Sequence, residues 1–131
     1  MNDLILVGKA FSDSTRVRIV AALRRHELCV CELSDALEIG QSTLSNHLQV
    51  IRQAGLVTIR KDGKWIYYGI EPEQKPLVDA LFYHHEAALE TDKRLKRDAE
   101  RLERRLQIRD GGRCVLGFSQ LDTPAETGAK E

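Results

Sequence analysis

Gln41-Ser-Thr-Leu-Ser-Asn-His-Leu-Gln-Val-Ile-Arg-Gln-Ala-Gly-Leu56 is the stretch on which the reading of this chain turns. Leu44, Leu48 and Ile51 recur at spacings of four and three, so they line one side of a helix over roughly Gln41 to Ala54, with Gly55 closing it. The opposite face carries Gln41, Ser42, Thr43, Ser45, Asn46, His47 and Gln49, whose side chains can pair with base edges in a major groove. Upstream, a shorter helical pattern begins around Cys29 to Glu32, continues through Leu33, Ala36 and Leu37, and stops at the turn Glu38-Ile-Gly40. Two short helices about a turn containing glycine, the second with a neutral hydrogen-bonding face, predict a helix-turn-helix. The first amides of the second helix can also meet a phosphate.

The next residues strengthen that expectation. Val57-Thr-Ile-Arg-Lys61 and Lys64-Trp-Ile-Tyr-Tyr-Gly-Ile70 are strand-like runs around Asp62-Gly63, a pair that favours a type I′ hairpin turn. Arg60, Lys61 and Lys64 fall at its tip, as a wing reaching DNA backbone beside the recognition helix requires. Trp65, Tyr67 and Tyr68 read as cross-strand or core aromatics rather than base-stacking ones. From Gln41 to Ile70 the chain carries Arg52, Arg60, Lys61 and Lys64 against Asp62 alone, whereas residues 1–37 hold five acids against five bases. A formal net charge of zero therefore conceals a locally basic surface, and phosphate attraction acts over about a Debye length, roughly 8 to 10 Å.

Towards the N-terminus, Leu4, Val7 and Phe11 predict a first helix, and Ser12 or Asp13 can cap a second near Ser14 to Arg25. In that second helix Val17, Ile19, Val20 and Leu23 face inward, with Arg16, Arg18 and Arg24 outward. Beyond Pro72 and Pro76, Leu77, Ala80, Leu81, Ala88 and Leu89 are helical, and Leu95, Leu102 and Leu106 extend the pattern through a charged stretch to Gln107. Such a long amphipathic segment suits a two-fold dimer contact, together with the first helix. After Arg109 the composition shifts to Gly111-Gly112 and Thr123-Pro-Ala-Glu-Thr-Gly, the signature of a mobile tail. The expected organisation is a winged helix-turn-helix domain over residues 1–90, mainly α with a β-hairpin, then a charged helical extension over 91–109 and a tail over 110–131.

At 131 residues, 42% hydrophobic and 31% charged, the chain suits one globular domain. Neither a basic leader nor a long apolar run opens it, which predicts a cytoplasmic protein that makes no use of a membrane. Its three cysteines fit metal-binding or redox thiols better than a structural disulfide, since Cys29 and Cys31 are near neighbours in Glu27-Leu-Cys-Val-Cys-Glu-Leu33. No Ser-His-Asp constellation, phosphate loop or paired catalytic carboxylate is readable, so an enzyme is not expected.

Lys9-Ala-Phe-Ser-Asp-Ser-Thr-Arg-Val-Arg-Ile19, the cysteine box, Ser42-Thr-Leu-Ser-Asn-His-Leu48, Arg52-Gln-Ala-Gly-Leu56 and Gly63-Lys-Trp-Ile-Tyr-Tyr68 together resemble the ArsR/SmtB metalloregulatory repressors over about residues 4 to 90. The resemblance implies a winged-helix homodimer that binds a palindromic double-stranded operator and lets go when a metal or metalloid binds. Leu28-Cys-Val-Cys-Glu-Leu33 is similar to the box of the arsenic-responsive members, which implies As(III) or Sb(III) as inducer on Cys29 and Cys31. In those members a third cysteine usually follows three residues later, where this chain has Ser34. Trivalent arsenic and antimony are soft centres that favour three thiolates. Cys114 of the same or the other subunit, a small-molecule thiol or a hydroxide would complete the shell.

Residues i and i+2 of a regular helix point about 200° apart, so a shared ion is expected to distort the start of the third helix. Arg24, Arg25 or His26 and the helix N-terminus favour thiolate there. Family relatives with a metal site on the dimer helix suggest zinc at Asp79, His84, His85 and Glu86, but Asp79-Ala-Leu81 lacks the expected histidine, so these read as surface or interface residues. The same DNA-binding module answering cadmium, lead or thiol oxidation is the neighbouring alternative. A Cys-Val-Cys thiol oxidoreductase and a structural dimerisation module are the readings from other classes.

Overall fold

The computed structural model describes residues 1–109. Seven helices and three strands follow in the order α1 (Asn2–Ala10), α2 (Ser14–Arg25), β1 (Leu28–Cys29), α3 (Val30–Leu37), α4 (Gln41–Gln53), β2 (Val57–Asp62), β3 (Trp65–Ile70), α5 (Lys75–His84), α6 (Glu86–Glu90) and α7 (Lys93–Leu106), with a 3₁₀ turn at Pro72–Gln74 before α5. This is a winged helix-turn-helix: mostly helical, with a small antiparallel sheet of order β1-β3-β2.

Local chemistry sets most boundaries. Asp13 caps α2 by accepting the Thr15 and Arg16 amides at 2.9 and 3.2 Å, which satisfies two donors that the helix start would otherwise leave open. Ile19, Val20 and Leu23 of α2 join Leu33 and Leu37 of α3 and Leu44, Leu48 and Ile51 of α4 in one buried core. Gly55, at φ +73°, closes α4 in the left-handed region that the chain needs there. At the turn between α3 and α4 the left-handed residue is Glu38, at φ 56°, and not Gly40. Its carboxylate is fixed by Arg97 at 2.9 Å and reached by Arg94 and Arg101 at 3.6 and 3.7 Å, which offsets the cost of that conformation.

Four expectations are corrected. The hairpin turn is Gly63-Lys64 rather than Asp62-Gly63, because Asp62 pairs with Trp65 and only Gly63 takes positive φ, as in a type II′ turn. The start of the third helix holds an unexpected strand, with Leu28 opposite Tyr68 and Cys29 opposite Tyr67. The long C-terminal segment is broken at His85 and again at Thr91-Asp92, so it is three helices. Finally, α7 turns back onto α2 and α3, burying Leu102, and of the α2 arginines read as outward-facing, Arg18 anchors it through Asp98.

Charge directs that docking. Arg18 grips Asp98 through two hydrogen bonds of 2.7 and 2.9 Å and donates to the Leu37 carbonyl at 2.6 Å. Arg94 and Arg101 of α7 donate to the carbonyls of Leu37, Ala36 and Asp35, so the C-terminal end of α3 is capped by side chains from elsewhere in the chain. Arg105 pairs with Asp35 at 3.0 Å. Arg16 is drawn inward to the carbonyls of Ala10 and Lys9, and Arg24 to Asp79 and the face of Phe82. Because α7 spends its apolar stripe inside the protomer, the large exposed apolar side chains lie elsewhere, including Leu4 and Ile5 of α1 and Leu77 and Tyr83 of α5.

Candidate thiol site and nucleic-acid interface

Cys29 is the residue before α3 begins, held in extended conformation at φ −81°, ψ 163°. That single change of backbone overturns the helical-wheel expectation. With Cys29 outside the helix and Cys31 within its first turn, the two sulfurs lie 2.8 Å apart. No distortion of a helix is needed to bring them together. Both are buried, at 1% and 4% exposure, in a small cluster with Tyr67, against which Trp65 packs.

Glu32 supports this geometry. Its carboxylate accepts the Cys29 amide at 3.0 Å, one half of a capping box in which the Cys29 side chain receives the Glu32 amide. Glu32 is fully buried, and Arg109 meets its two oxygens through two bonds of 2.6 Å while donating to the Glu27 carbonyl at 2.7 Å. The Glu32 carboxylate raises the Arg109 pKa above its ordinary value, against the burial that lowers it. Arg109 is thus a cation that the fold brings beside Cys29. Glu32 was legible as the third residue after a cap; Arg109, 77 positions away, was not.

Ser34 stands where the resemblance would put a third cysteine, and its hydroxyl donates to the Ile39 carbonyl at 2.6 Å. Cys114 lies outside the described residues. Among those residues no group of three or more His, Cys, Asp or Glu side chains is disposed to hold a metal ion, and Asp79 is engaged by Lys75 and Arg24. His84 and His85 pack edge to face, with centroids 4.9 Å apart.

On α4, Gln41, Ser42, Thr43, Ser45, Asn46 and Gln49 are exposed along one side, and no side chain caps the helix start. His47 is half-buried, its Nδ1 3.2 Å from the Arg16 guanidinium and 4.0 Å from Asp13. Lys61 and Lys64 are exposed on the wing. Arg60, opposite Tyr67 in the ladder, is turned to Glu27 at 2.7 Å and lies 4.6 Å from the Tyr67 ring centre. The wing is therefore joined to the thiol cluster through Tyr67, and α4 is joined to it through α3.

A tri-helical core with a hairpin wing is shared by many regulators; the sequence comparison narrows it. The family of bacterial regulatory proteins of the arsR type matches residues 13–58. Over 84 residues the chain is 40% identical to a cadmium resistance transcriptional regulatory protein, the CadC homolog of Staphylococcus aureus, covering 63% of this chain and 69% of that protein. The chain belongs to the ArsR family.

It is also 44% identical over 77 residues to the arsenic resistance transcriptional regulator ArsR1 of Pseudomonas putida, a match covering 58% of this chain and 60% of that relative. Among solved structures, the homodimeric winged helix-turn-helix DNA-binding domain Mb0332 of Mycobacterium bovis superposes with a TM-score of 0.62 at 27% identity, over 70% of this chain and 86% of that one. The ArsR family is one of DNA-binding transcriptional regulators and not of enzymes. Among the described residues no helix is long and apolar enough to cross a membrane.

Proposed function

We propose that this chain is a cytoplasmic transcriptional repressor that binds double-stranded operator DNA as a homodimer and releases it when trivalent arsenic or antimony is taken up by cysteine thiolates. The observation that carries the reading is the 2.8 Å contact of the Cys29 and Cys31 sulfurs at the head of α3. Arsenical-resistance regulators among the relatives support the inducer class, and the cadmium regulator beside them keeps cadmium as the second reading.

Cys29 and Cys31 would hold the metalloid, with Cys114 of the outlying segment as the candidate third donor. The metalloid supplies a soft centre that binds thiolates in preference to oxygen. Every other part of the response belongs to the chain. Cys29 is at once the end of β1, the cap of α3 and the partner of Tyr67, so any change in its sulfur's position acts on sheet and helix together. The α3 helix packs on α4, whose exposed face of Gln41, Ser42, Thr43, Ser45, Asn46 and Gln49 would meet base edges, with His47 at its margin. Lys61 and Lys64 would meet backbone phosphates; Arg60 would do so by exchanging Glu27 for phosphate. The dimer contact falls to α1 and α5, which present Leu4, Ile5, Leu77 and Tyr83.

A coupling of a few kcal/mol between thiol ligation and DNA affinity suffices to empty the operator. Fluorescence anisotropy on the chain's own promoter DNA, with arsenite titrated under reducing conditions, tests this. Release that disappears in Cys29→Ser and Cys31→Ser supports the reading, and retained DNA binding at saturating arsenite with release by cadmium would favour the second one.

A further inference from the structure

We propose that the first turns of α7 form a second phosphate-contacting surface, where Lys93 and Lys96, beside Arg94 and Arg97, meet the backbone of double-stranded DNA near the N-terminal end of α4. This surface presupposes the DNA-binding reading of the proposed function and extends it beyond the helix-turn-helix and the wing.

The charges on α7 are set against the preference of their own helix. Residues 93–97 read Lys-Arg-Leu-Lys-Arg, and the first turn of α7 contains no acidic residue. Aligned peptide dipoles concentrate positive potential at that end and favour anions there. Asp92, the cap, accepts the Leu95 amide at 2.9 Å. Lys93, Lys96 and Arg97 are three and four positions apart, so they share one face, on which like charges repel. All three are exposed, and among the described residues Lys93 and Lys96 enter no ion pair. An anion from outside the protomer offsets such a cluster.

The fold fixes where the cluster sits. Arg94 donates to the Leu37 carbonyl at 3.0 Å, and Arg97 meets the two Glu38 oxygens at 2.9 and 3.1 Å. Leu37 ends α3 and Gly40 precedes α4, so at most about 11 Å of chain separates this anchor from the start of the recognition helix. No side chain caps that start, which leaves its amides as donors for phosphate. Glu38 is a single carboxylate facing the guanidiniums of Arg94, Arg97 and Arg101. The wing continues from the other end of α4, a helix of 13 residues and about 20 Å. Basic side chains therefore stand at both ends of the recognition helix, and a duplex lying along it offers phosphates to each.

The test measures anisotropy of the full chain on promoter DNA and on a random duplex over a range of salt concentrations. The double variant Lys93→Ala/Lys96→Ala should weaken binding to both DNAs. It should also reduce the slope of log affinity against log salt by about two, since each phosphate contact contributes about 0.9. Its melting temperature should stay level or rise, because alanine suits a helix and the repulsion is relieved. Arg104→Ala is the control: it removes an exposed charge from the same helix, about 12 Å beyond Lys96 and farther than a Debye length, and should leave the slope unchanged. Ethylation interference gives a second readout, in which at least one phosphate that matters to the wild type should cease to matter to the double variant. An unchanged slope and ethylation pattern, with DNA binding intact, would overturn the inference and leave the proposed function standing. An equal loss of slope per charge in Arg104→Ala would also overturn it, by reducing the effect to net charge. Absence of any promoter binding by the wild type would overturn both.

Discussion

Arg109 and Glu32 form a forked ion pair at 2.6 Å across the head of α3, with Glu32 wholly buried and the Arg109 side chain 19% exposed. The pair ties the segment following α7 to the helix that bears Cys31. Removing one partner of such a pair strands a charge in a low-dielectric setting. Arg109→Ala should therefore lower unfolding free energy by about 3 kcal/mol or more, read from the urea midpoint. Glu32→Gln combined with Arg109→Ala should recover part of that loss, since the stranded charge is then gone. A single variant as stable as wild type would show that the pair is not formed in solution.

Asp98 joins α7 to α2 in the same manner, buried at 5% exposure and gripped by Arg18. Asp98→Ala should cost about 3 kcal/mol and leave Arg18 without its carboxylate. Hydrogen exchange would reveal where the loss falls: α7 amides should exchange at least tenfold faster, with those of α2 protected as before. Uniform acceleration across both helices would mean that α7 is part of one cooperative unit with the core.

The wing and recognition helix should separate by experiment. Lys61→Ala and Lys64→Ala should each weaken binding to operator and random DNA alike and reduce the salt slope by about one. Asn46→Ala or Gln49→Ala should instead reduce discrimination for the operator, by about 1 to 3 kcal/mol where a paired base contact is lost. Equal losses on both DNAs for all four variants would defeat this division. His47→Ala is expected to alter stability as well as DNA preference, because His47 also meets Arg16.

Acid sensitivity follows from carboxylates held low. Amide donation, first from Arg16, keeps Asp13 below its ordinary value, and hydrogen bonding from Arg97 does the same for Glu38. For a carboxyl depressed on folding, the stabilisation is present above the unfolded value, about 4, and is lost as pH falls through the folded one. Asp13→Asn and Glu38→Gln should each flatten the fall of the melting temperature below about pH 4, with little change in slope near pH 7. An acid limb as steep as wild type in both would contradict these interactions.

Some residues declared their place in the fold and others did not. Leu44, Leu48 and Ile51 announced α4 because a buried face repeats with the helix period, and Val57 to Ile70 announced the wing because strand runs flank a glycine turn. The cysteine box was equally visible. Its geometry was not: periodicity places Cys29 in a helix, whereas pairing with Tyr67, 38 residues further along the chain, pulls it into a strand and sets its sulfur on that of Cys31.

Sequence alone was enough for the local elements, a cap for α2 at Ser12 or Asp13, the hydrogen-bonding face of α4 and the identity of the thiols, because these follow from neighbours within a few residues. It took the folded chain to establish that α7 folds back on α3, that Arg16, Arg18 and Arg24 are engaged rather than solvated, and that Glu32 and Arg109 meet beside Cys29. Those outcomes depend on which distant charges and apolar faces desolvate one another, a choice made by the whole packed chain and written in no local period.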